Sequence, residues 1–323
     1  MFDIITFGSA TFDTFLRLKE GDFKVLQDEG KDYISIKLGE KIFLEKVLQE
    51  SGGGGTNSAV TFSKQGFKTA FLGKVGNDFF GEKIIKELKD YKVNTNFIKK
   101  DSKFPTNQSF IISIGKERTI FLKEGASSFL TEKDITFSKI KTKWFYLAPL
   151  RNKAAQLTSK LIFFAKKKNI KVALNPSKEQ IIISGFKRLL KYVDILILNL
   201  EEASFLTDIS VFKENEIFEK IKDFGPKISI ITKGAKGAIL LKENDIYEVG
   251  TINIKVIEKT GAGDAFGSGF LAGLLKKNDI EYALQLATAN ATGCIQKIGA
   301  KQGLVSSNFY NKWQEVEILK QKI

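Results

Sequence analysis

The stretch Glu258–Leu275, EKTGAGDAFGSGFLAGLL, carries the strongest pattern in the chain. A strand-like run, TINIKVI, precedes it at 251–257, and small residues then lead into a helical pattern. Gly261, Ala262 and Gly263 at a helix start leave backbone N–H groups accessible, and the helix dipole adds partial positive charge there. The pattern predicts an anion-binding site at this helix N-terminus.

Asp264 follows this turn directly. A carboxylate at that position can take the proton of a hydroxyl that attacks a bound phosphoryl group. In the alternative, the segment is a glycine-rich strand-to-helix turn, and Asp264 only complements the helix dipole. Two other glycine motifs fit poorly. The spacing GxGxxxG differs from the dinucleotide-binding GxGxxG, and in GNDFFGEK Glu82 stands where a Walker A loop needs Lys.

A second glycine-rich stretch, SGGGGTNSAV at 51–60, also precedes a helical pattern. Gly53 and Gly54 allow a ligand to approach the backbone closely, and Asn57 offers both a donor and an acceptor. This loop is therefore a candidate substrate-binding loop. A flexible turn would have the same composition.

Short apolar runs alternate with helical patterns through most of the chain. The strand-like runs are Ile4–Phe7, Ala70–Leu72, Trp144–Ala148, Lys171–Leu174, Ile195–Leu198 and Ile228–Thr232, and the clearest helical patterns cover 56–66 and 79–91. Strands separated by helices predict right-handed βαβ units and a mainly parallel sheet. In such sheets ligands bind beyond the carboxyl ends of the strands.

Two segments, about 12–50 and 96–125, break this rhythm with β-rich patterns and no helix between strands. Within the second, SFIISIGKERTIFLKEG indicates a hairpin that turns near Gly115–Lys116. We expect these segments to form a small β-sheet lid inserted into a single domain, 1–323. Arg118 on this hairpin is a candidate for binding an anionic group of the substrate, with a solvated surface residue as the alternative.

Composition excludes several classes of function. The chain has no His and a single Cys among 323 residues, which rules out His-dependent triads and multi-Cys zinc sites. The net charge is +14, but the excess is nearly all Lys scattered along helices, so nucleic acid is not an expected partner. No apolar run approaches the roughly 18 residues of a membrane span, and no signal peptide is recognisable. A cytoplasmic protein is expected.

Together these segments resemble the PfkB/ribokinase family of carbohydrate and nucleoside kinases. GGGGTNSAVTFSKQGFKTAFLGKVGNDFFG is similar to the family's N-terminal signature, and TGAGDAFGSGFLAGLL is similar to its C-terminal one. Intervening motifs occur in the family's order: GSATFD at 8–13, NLEE at 199–202, ITKGAKGA at 231–238, and ATANATG and IGAKQG near Asn290 and Gly299. The resemblance covers essentially the whole chain. It implies a ribokinase-like three-layer α/β/α sandwich with a mainly parallel central sheet and a small β-sheet lid.

The resemblance also implies roles. The protein would phosphorylate a hydroxyl of a sugar or sugar derivative with ATP, using Asp264 as general base and Gly261–Gly263 as anion hole. Asp13, Gly53, Gly54 and Asn57 would bind the acceptor. The residues implied for the nucleotide are Asn199, Glu202, Thr232, Gly234, Gly237 and Asn290, with Glu202 acting on Mg²⁺ through water. Asp13 as a turn residue, and Glu202 and Asn290 as helix surface, are the alternatives.

One departure concerns K⁺. Family members that K⁺ activates usually have Asp at the position of Glu258 and Thr at the position of Lys259, so the resemblance does not extend to a K⁺ requirement. A nucleoside kinase of the adenosine, inosine or cytidine type shares every motif and remains an alternative, as does a catalytically silent nucleotide- or sugar-binding regulator. We expect a sugar because Asp13 and the GGGGTN loop suit several hydroxyls. A homodimer through the lid is a further expectation.

Overall fold

The structure, a computed structural model, describes residues 1–114, 117–309 and 313–322. In chain order its strands are β1 (Phe2–Phe7), β2 (Thr11–Leu18), β3 (Lys24–Asp28), β4 (Lys31–Ser35), β5 (Leu44–Gly52), β6 (Thr69–Gly76), β7 (Asn94–Asp101), β8 (Asn107–Ile114), β9 (Glu117–Lys123), β10 (Thr142–Leu147), β11 (Lys171–Leu174), β12 (Ile195–Asn199), β13 (Ile228–Thr232), β14 (Ala238–Lys242), β15 (Asp245–Val249) and β16 (Ile318–Lys322). The helices are α1 (Gly54–Lys64), α2 (Phe79–Asp90), α3 (Asn152–Ala155), α4 (Leu157–Lys167), α5 (Lys178–Ile181), α6 (Phe186–Leu189), α7 (Leu200–Thr207), α8 (Glu214–Asp223), α9 (Ala262–Lys277) and α10 (Ile280–Ile295).

The central sheet has the strand order β16-β15-β14-β13-β12-β11-β10-β1-β6-β7. Neighbours from β13 to β7 pair in parallel, and β14 to β16 complete one edge as antiparallel strands. Because successive side chains of a strand point to opposite faces, each buried strand serves two cores. On β10, Phe145 and Leu147 belong to one core, and Trp144 and Tyr146 belong to the other. The predicted mainly parallel sheet is thus confirmed.

Helices cover both faces of this sheet, which gives three layers. On one face the apolar sides of α4, α7 and α8 pack against the strands through residues such as Leu161, Leu206 and Ile217. On the other face α9 and α10 pack through Phe270 and Ala287. The predicted α/β/α sandwich is confirmed.

The lid is a four-stranded sheet with the order β5-β2-β8-β9, and β3 and β4 form a separate hairpin. Strands β8 and β9 pair antiparallel, as expected of the hairpin, whose turn at Gly115–Lys116 lies outside the described residues. One boundary differs from the prediction. The segment from residue 96 was assigned to the lid, but β7 pairs with β6 at the edge of the central sheet, so the lid strands resume at Asn107.

The strand-like run TINIKVI at 251–257 is not a strand in the structure. Its alternating apolar residues predicted β-structure, yet Val256 and Ile257 are exposed and this segment pairs with no described strand. Its last residues are held differently, because the N–H groups of Ile257 and Glu258 both donate to the carbonyl oxygen of Ile295. The approach to α9 is therefore an irregular segment fixed by α10.

The carboxyl ends of the parallel strands meet at one edge of the sheet. In the pairing of β12 with β13, Asn199 is the register partner of Thr232, so these two predicted nucleotide-binding residues are neighbours. Gly8, just after β1, packs so tightly that a Cβ there would lie 2.6 Å from the nitrogen of Gly55. This edge therefore faces the start of α1. No helix in the described part of the chain is long and apolar enough to cross a membrane.

Candidate active site

The N-terminus of α9 has the geometry of an anion site. Its N-cap, Gly261, has φ +83°, and a Cβ there would lie 2.4 Å from Cβ of Ala300, so only glycine fits. No side chain caps this N-terminus, and a Cβ on Gly263 would meet open space. The open space beside Gly263 therefore lets an anion approach the first turn of α9.

The second glycine-rich helix start, that of α1, is built differently. Gly53 has φ +95° and also lacks a side-chain cap. However, the hydroxyl of Ser9 accepts a hydrogen bond from the N–H of Gly54 at 3.2 Å, and the carbonyl oxygen of Ser9 accepts one from Gly55 at 3.2 Å. The amides of α1 are thus partly used by Ser9, and at α9 the N–H of Ala262 donates to the carbonyl oxygen of Lys259 at 3.3 Å.

The two glycine-rich stretches meet at Asp264. The amide nitrogen Nδ2 of Asn57 donates to Oδ2 of Asp264 at 2.9 Å, and a Cβ on Gly54 would lie 3.0 Å from Oδ1 of the same carboxylate. Asn57 is only 4% exposed, and its Oδ1 has no partner among the described residues. A buried acceptor in this state requires a donor, and a bound hydroxyl can supply it.

The charge state of Asp264 follows from its surroundings. Burial raises the pKa of this carboxyl, while the hydrogen bond from Asn57 and the positive charge of Lys301 act to lower it. A carboxylate with a raised pKa is a stronger base than an exposed one, provided that it stays ionised at the working pH. Asp264 therefore combines the position and the environment of a general base.

Asp13 is placed by the lid rather than by the central sheet. It lies on β2 and is buried, and the hydroxyl of Ser109 on β8 donates to its Oδ1. A Cβ on Gly52 would lie 1.9 Å from Oδ2 of Asp13, so the end of β5 can approach only as glycine. Burial raises the pKa of Asp13, against the hydrogen bond from Ser109 and the charge of Lys301.

A cavity of about 130 Å³, lined by both polar and apolar side chains, lies between the lid and the segment after β10. Its lining includes Ser9, Thr11, Asn107, Gln108, Lys123 and Arg151. Leu122 on β9 adds an apolar patch. The lining therefore offers a small ligand both hydrogen-bonding groups and apolar surface.

Asn199, Thr232 and Gly234 lie together at the carboxyl edge of the sheet. Asn199 caps α7: its Oδ1 accepts from the N–H of Glu202 at 2.8 Å, and its own N–H donates to Oε2 of Glu202 at 2.9 Å. Gly234 has φ +58° with open space around its Cβ position. Burial raises the pKa of Glu202, against the N–H of Asn199. Within the described residues, no three Cys, Asp or Glu side chains form a metal cluster.

Gly237 has a role in the sheet. Its φ is +87°, and a Cβ there would lie 2.0 Å from the carbonyl oxygen of Val249. The residue therefore allows the turn between β13 and β14 to pack against β15. This contact explains the glycine without a nucleotide.

The prediction that Asn290 binds the nucleotide directly is wrong. Asn290 is fully buried in α10, and its Nδ2 donates to the carbonyl oxygen of Ala265 at 2.8 Å and to the hydroxyl of Thr61 at 3.2 Å. Its Oδ1 accepts from the N–H of Val305 at 2.9 Å. The amide thus joins α9, α1 and the segment after α10, and it supports the site from behind.

Arg118, a predicted substrate-binding residue, is paired with Glu258 in this structure. Its Nη1 donates to Oε1 of Glu258 at 2.9 Å, and Ser113 and Thr260 donate to the same carboxylate. Burial acts to raise the pKa of Glu258, but the hydrogen bonds from Thr260 and Arg118 hold it below its ordinary value. Arg118 therefore ties the lid strand β9 to the segment that leads into α9.

Some site residues carry no signal in the sequence. Ser109 is one of many hydroxyl residues in β-rich segments, and only the pairing of β2 with β8 places it opposite Asp13. Lys301 is one of many lysines, and only the fold shows that it is buried. The alternation of β8 was the one available indication that Ser109 points inward.

The N-terminus of α9 lies beside the carboxylate of Asp264, which the amide of Asn57 holds. This arrangement suits the transfer of a phosphoryl group to a hydroxyl. Fold and site thus define the class of a phosphotransferase. The chain has no His for a phosphohistidine route and no multi-Cys metal site for another chemistry.

Comparison with known proteins makes this class specific. The model of the pfkB family carbohydrate kinases matches residues 31–306. A ribokinase of Haemophilus influenzae is 29% identical over 276 residues, which cover 83% of this chain and 88% of that protein. An Arabidopsis thaliana ribokinase complexed with ribose and ATP superposes with a TM-score of 0.78 at 23% identity, covering 96% of this chain and 98% of that one. A Methanocaldococcus jannaschii nucleoside kinase superposes with a TM-score of 0.74 at 20% identity, covering 95% and 96%.

The chain belongs to the pfkB family of carbohydrate kinases. It is an ATP-dependent carbohydrate kinase.

Proposed function

We propose that the protein transfers the γ-phosphoryl group of ATP to a hydroxyl of a sugar or simple sugar derivative, with Asp264 as general base. The observation that carries this proposal is the position of Asp264 in the first turn of α9, where it is held by Asn57 at 2.9 Å. The N–H groups at Gly261–Gly263 would hold the transferring group, whose negative charge the helix dipole favours.

The reaction needs one proton transfer and one displacement. The acceptor hydroxyl gives its proton to Asp264, its oxygen forms a bond to the γ-phosphorus, and the bond to the bridging oxygen breaks to release ADP. Oδ2 of Asp264 is already bound by Asn57, and Oδ1 lies on the side of Gly54. We assign the proton to Oδ1. Positioning and charge stabilisation supply most of the catalysis in this type of reaction.

Asp13 and Asn57 are the proposed acceptor anchors. Oδ1 of Asn57 is buried without a described partner and would accept from an acceptor hydroxyl. Asp13 keeps Oδ2 for a second hydroxyl, since Ser109 uses Oδ1. Gly53 and Gly54 let the sugar approach the backbone between these groups. These polar anchors suit several hydroxyls and so favour a sugar over a nucleoside, whose base needs an apolar slot.

Asn199, Thr232 and Gly234 are the proposed nucleotide contacts, because they share the carboxyl edge of β12 and β13. Mg²⁺ bound to the phosphates would neutralise the charge of the transferring group. The residues present fit such an ion. The helix cap uses Oε2 of Glu202, so Oε1 remains to hold a water of a cation that keeps most of its hydration.

The lid is the proposed homodimer interface, and the chain as a whole is one kinase domain with the lid strands as inserted segments. Register places Thr14, Phe110 and Phe121 in one row on the lid face opposite Asp13. Phe110 and Phe121 are 37% and 55% exposed. Two exposed phenylalanines side by side on a sheet face favour burial against a second copy.

Asp264→Asn tests the reaction. It keeps the shape and the bond to Asn57 but removes the base, so kcat should fall by about 10²–10⁴-fold while ATP affinity changes by no more than a few-fold. The measurement couples ADP formation to a panel of sugars and nucleosides. Asp223→Asn, an exposed carboxylate at the end of α8, is the matched control and should behave as wild type.

Retention of more than about a tenth of wild-type kcat by Asp264→Asn would remove the base from the mechanism. In the same panel, a nucleoside with kcat/KM about tenfold above the best sugar would replace the sugar with a nucleoside as acceptor.

A further inference from the structure

Lys301 is a buried lysine in the segment after α10. It is 2% exposed, and its ammonium donates to the carbonyl oxygen of Ser51 at 2.7 Å and to the hydroxyl of Ser51 at 2.5 Å. Glu87 of α2 is the nearest anion recorded, with Oε1 4.0 Å away. Lysine is almost never fully buried unless it is paired, because desolvating an ammonium is costly. The two hydrogen bonds to Ser51 and the charge of Glu87 offset part of this cost.

The contact with Ser51 lies at the first residue of the glycine-rich stretch 51–60, the proposed acceptor-binding loop. Ser51 precedes Gly52, which packs on Asp13, and Gly53, which begins the helix that carries Asn57. A bond from Lys301 to Ser51 thus fixes the junction of β5 and α1 from beneath. Both proposed acceptor anchors depend on the position of this junction.

The ammonium also acts on the acidic groups of the site. Burial lowers the pKa of Lys301, and the carboxylates that oppose this effect by stabilising the ammonium are Glu87 on α2, Asp13 on β2, Glu50 on β5 and Asp264 on α9. Lys64 on α1 approaches the same segment, but it donates to the carbonyl oxygens of Lys301 and Leu304 instead. Lys301 is thus the buried cation whose charge bears on both Asp13 and Asp264.

We propose that Lys301 is a positioning residue for this kinase: its ammonium fixes the junction of β5 and α1 and supplies the positive charge beneath Asp13 and Asp264. This inference rests on the proposed roles of those two carboxylates. Lys301 is the cation that donates hydrogen bonds to Ser51 among the described residues.

The charge has a consequence for the pH profile. Burial raises the pKa of Asp264, and Lys301 opposes this effect. The base works only when ionised, so activity is present above the pKa of Asp264 and is lost as pH falls through it. Loss of the ammonium would raise this pKa, and the acid limb of the kcat profile would move to higher pH.

Lys301→Met tests the proposal, since it keeps the length of the side chain and removes its charge. We expect kcat near pH 6, relative to kcat near pH 8, to fall by roughly tenfold compared with wild type. The KM of the acceptor should rise by roughly tenfold, and the KM of ATP should change by less than about twofold. Lys64→Met is the matched control: it loosens the same segment and should leave the shape of the pH profile unchanged.

Two further variants separate charge from hydrogen bonding and guard against misfolding. Lys301→Gln is neutral but can still donate to Ser51, so it should show the same acid-limb shift with a smaller change in acceptor KM. Lys301→Arg keeps the charge and should keep the wild-type acid limb. The melting temperature of each variant is measured alongside its kinetics.

An acid limb that is the same in wild type, Lys301→Met and Lys301→Gln would overturn the proposal, as would an equal shift in Lys64→Met. Failure of the proposed function has another signature. In that case Asp264→Asn would retain activity, whereas failure of this inference alone leaves Asp264→Asn inactive.

Discussion

At the scale of single residues, the proposed acceptor anchors Asp13 and Asn57 lie on two different parts of the fold. Asp13→Ala and Asn57→Ala should raise the KM of the acceptor far more than that of ATP. A buried hydroxyl left without its partner costs about 1–3 kcal/mol, which is roughly 5–150-fold in affinity. Steady-state kinetics with each substrate varied in turn give both constants.

The two variants should differ in their pH profiles. Asn57 lowers the pKa of Asp264, so Asn57→Ala should also move the acid limb of kcat to higher pH, whereas Asp13→Ala should not. Ser109→Ala removes only the hydrogen bond to Asp13 and serves as the milder comparison. Equal effects on the two KM values would argue against this placement.

The sequence was informative where chemistry and backbone geometry coincide in a short motif. Glycines around Asp264 and Asn57 indicated a backbone that approaches a ligand, and the structure brings these two residues together. The prediction for Asn290 was wrong because a helical pattern does not tell which groups a buried amide on the helix contacts. Lys301 and Ser51 are 250 positions apart, and no local pattern records such a contact.

At the scale of elements, the lid strand β9 and the segment before α9 are joined by the ion pair of Arg118 and Glu258. The carboxylate of Glu258 is already bound by a guanidinium and by Thr260, which leaves little negative charge for a monovalent cation. K⁺ should therefore activate weakly or not at all. Initial rates in K⁺ and in tetramethylammonium, at matched ionic strength, should agree within about twofold.

Arg118→Met provides the internal comparison for K⁺. Without the guanidinium, Glu258 loses its cationic partner beside the entrance to α9, and a K⁺ ion can neutralise it. This variant should respond to K⁺ more strongly than the wild type. Many-fold stimulation of the wild type by K⁺ would show that the ion pair does not replace a monovalent cation.

Elements were predictable where a buried strand leaves a short run rich in apolar, β-branched residues. The runs Ile195–Leu198 and Ile228–Thr232 lie within β12 and β13. TINIKVI carried a similar signal and failed, because a strand also needs a hydrogen-bonded neighbour, and the local sequence does not say whether one exists. The predicted start of the second lid segment, at residue 96, was wrong for the same reason. The local sequence does not say which strand is the neighbour, and β7 pairs with β6 in the central sheet.

At the scale of the whole molecule, the exposed Phe110 and Phe121 on the lid predict a dimer. The wild type should be dimeric at micromolar concentration, and Phe121→Glu should give a monomer, because it places a charge in an apolar interface. Light scattering coupled to size-exclusion chromatography measures the mass. Phe212→Glu is the control, since Phe212 is 93% exposed and lies away from the lid strands. A monomeric wild type would contradict the prediction.

The open side of α9 bears on how substrates come and go. In the proposed reaction the phosphates lie against the open side of α9 at Gly263 and the carboxyl edge of β12 and β13, while the sugar lies under the lid. The two products would then leave by different exits. ADP would be exchanged for ATP along the edge of the sheet while the lid stays in place. Only the entry of the sugar and the release of its phosphorylated product would require the lid to move.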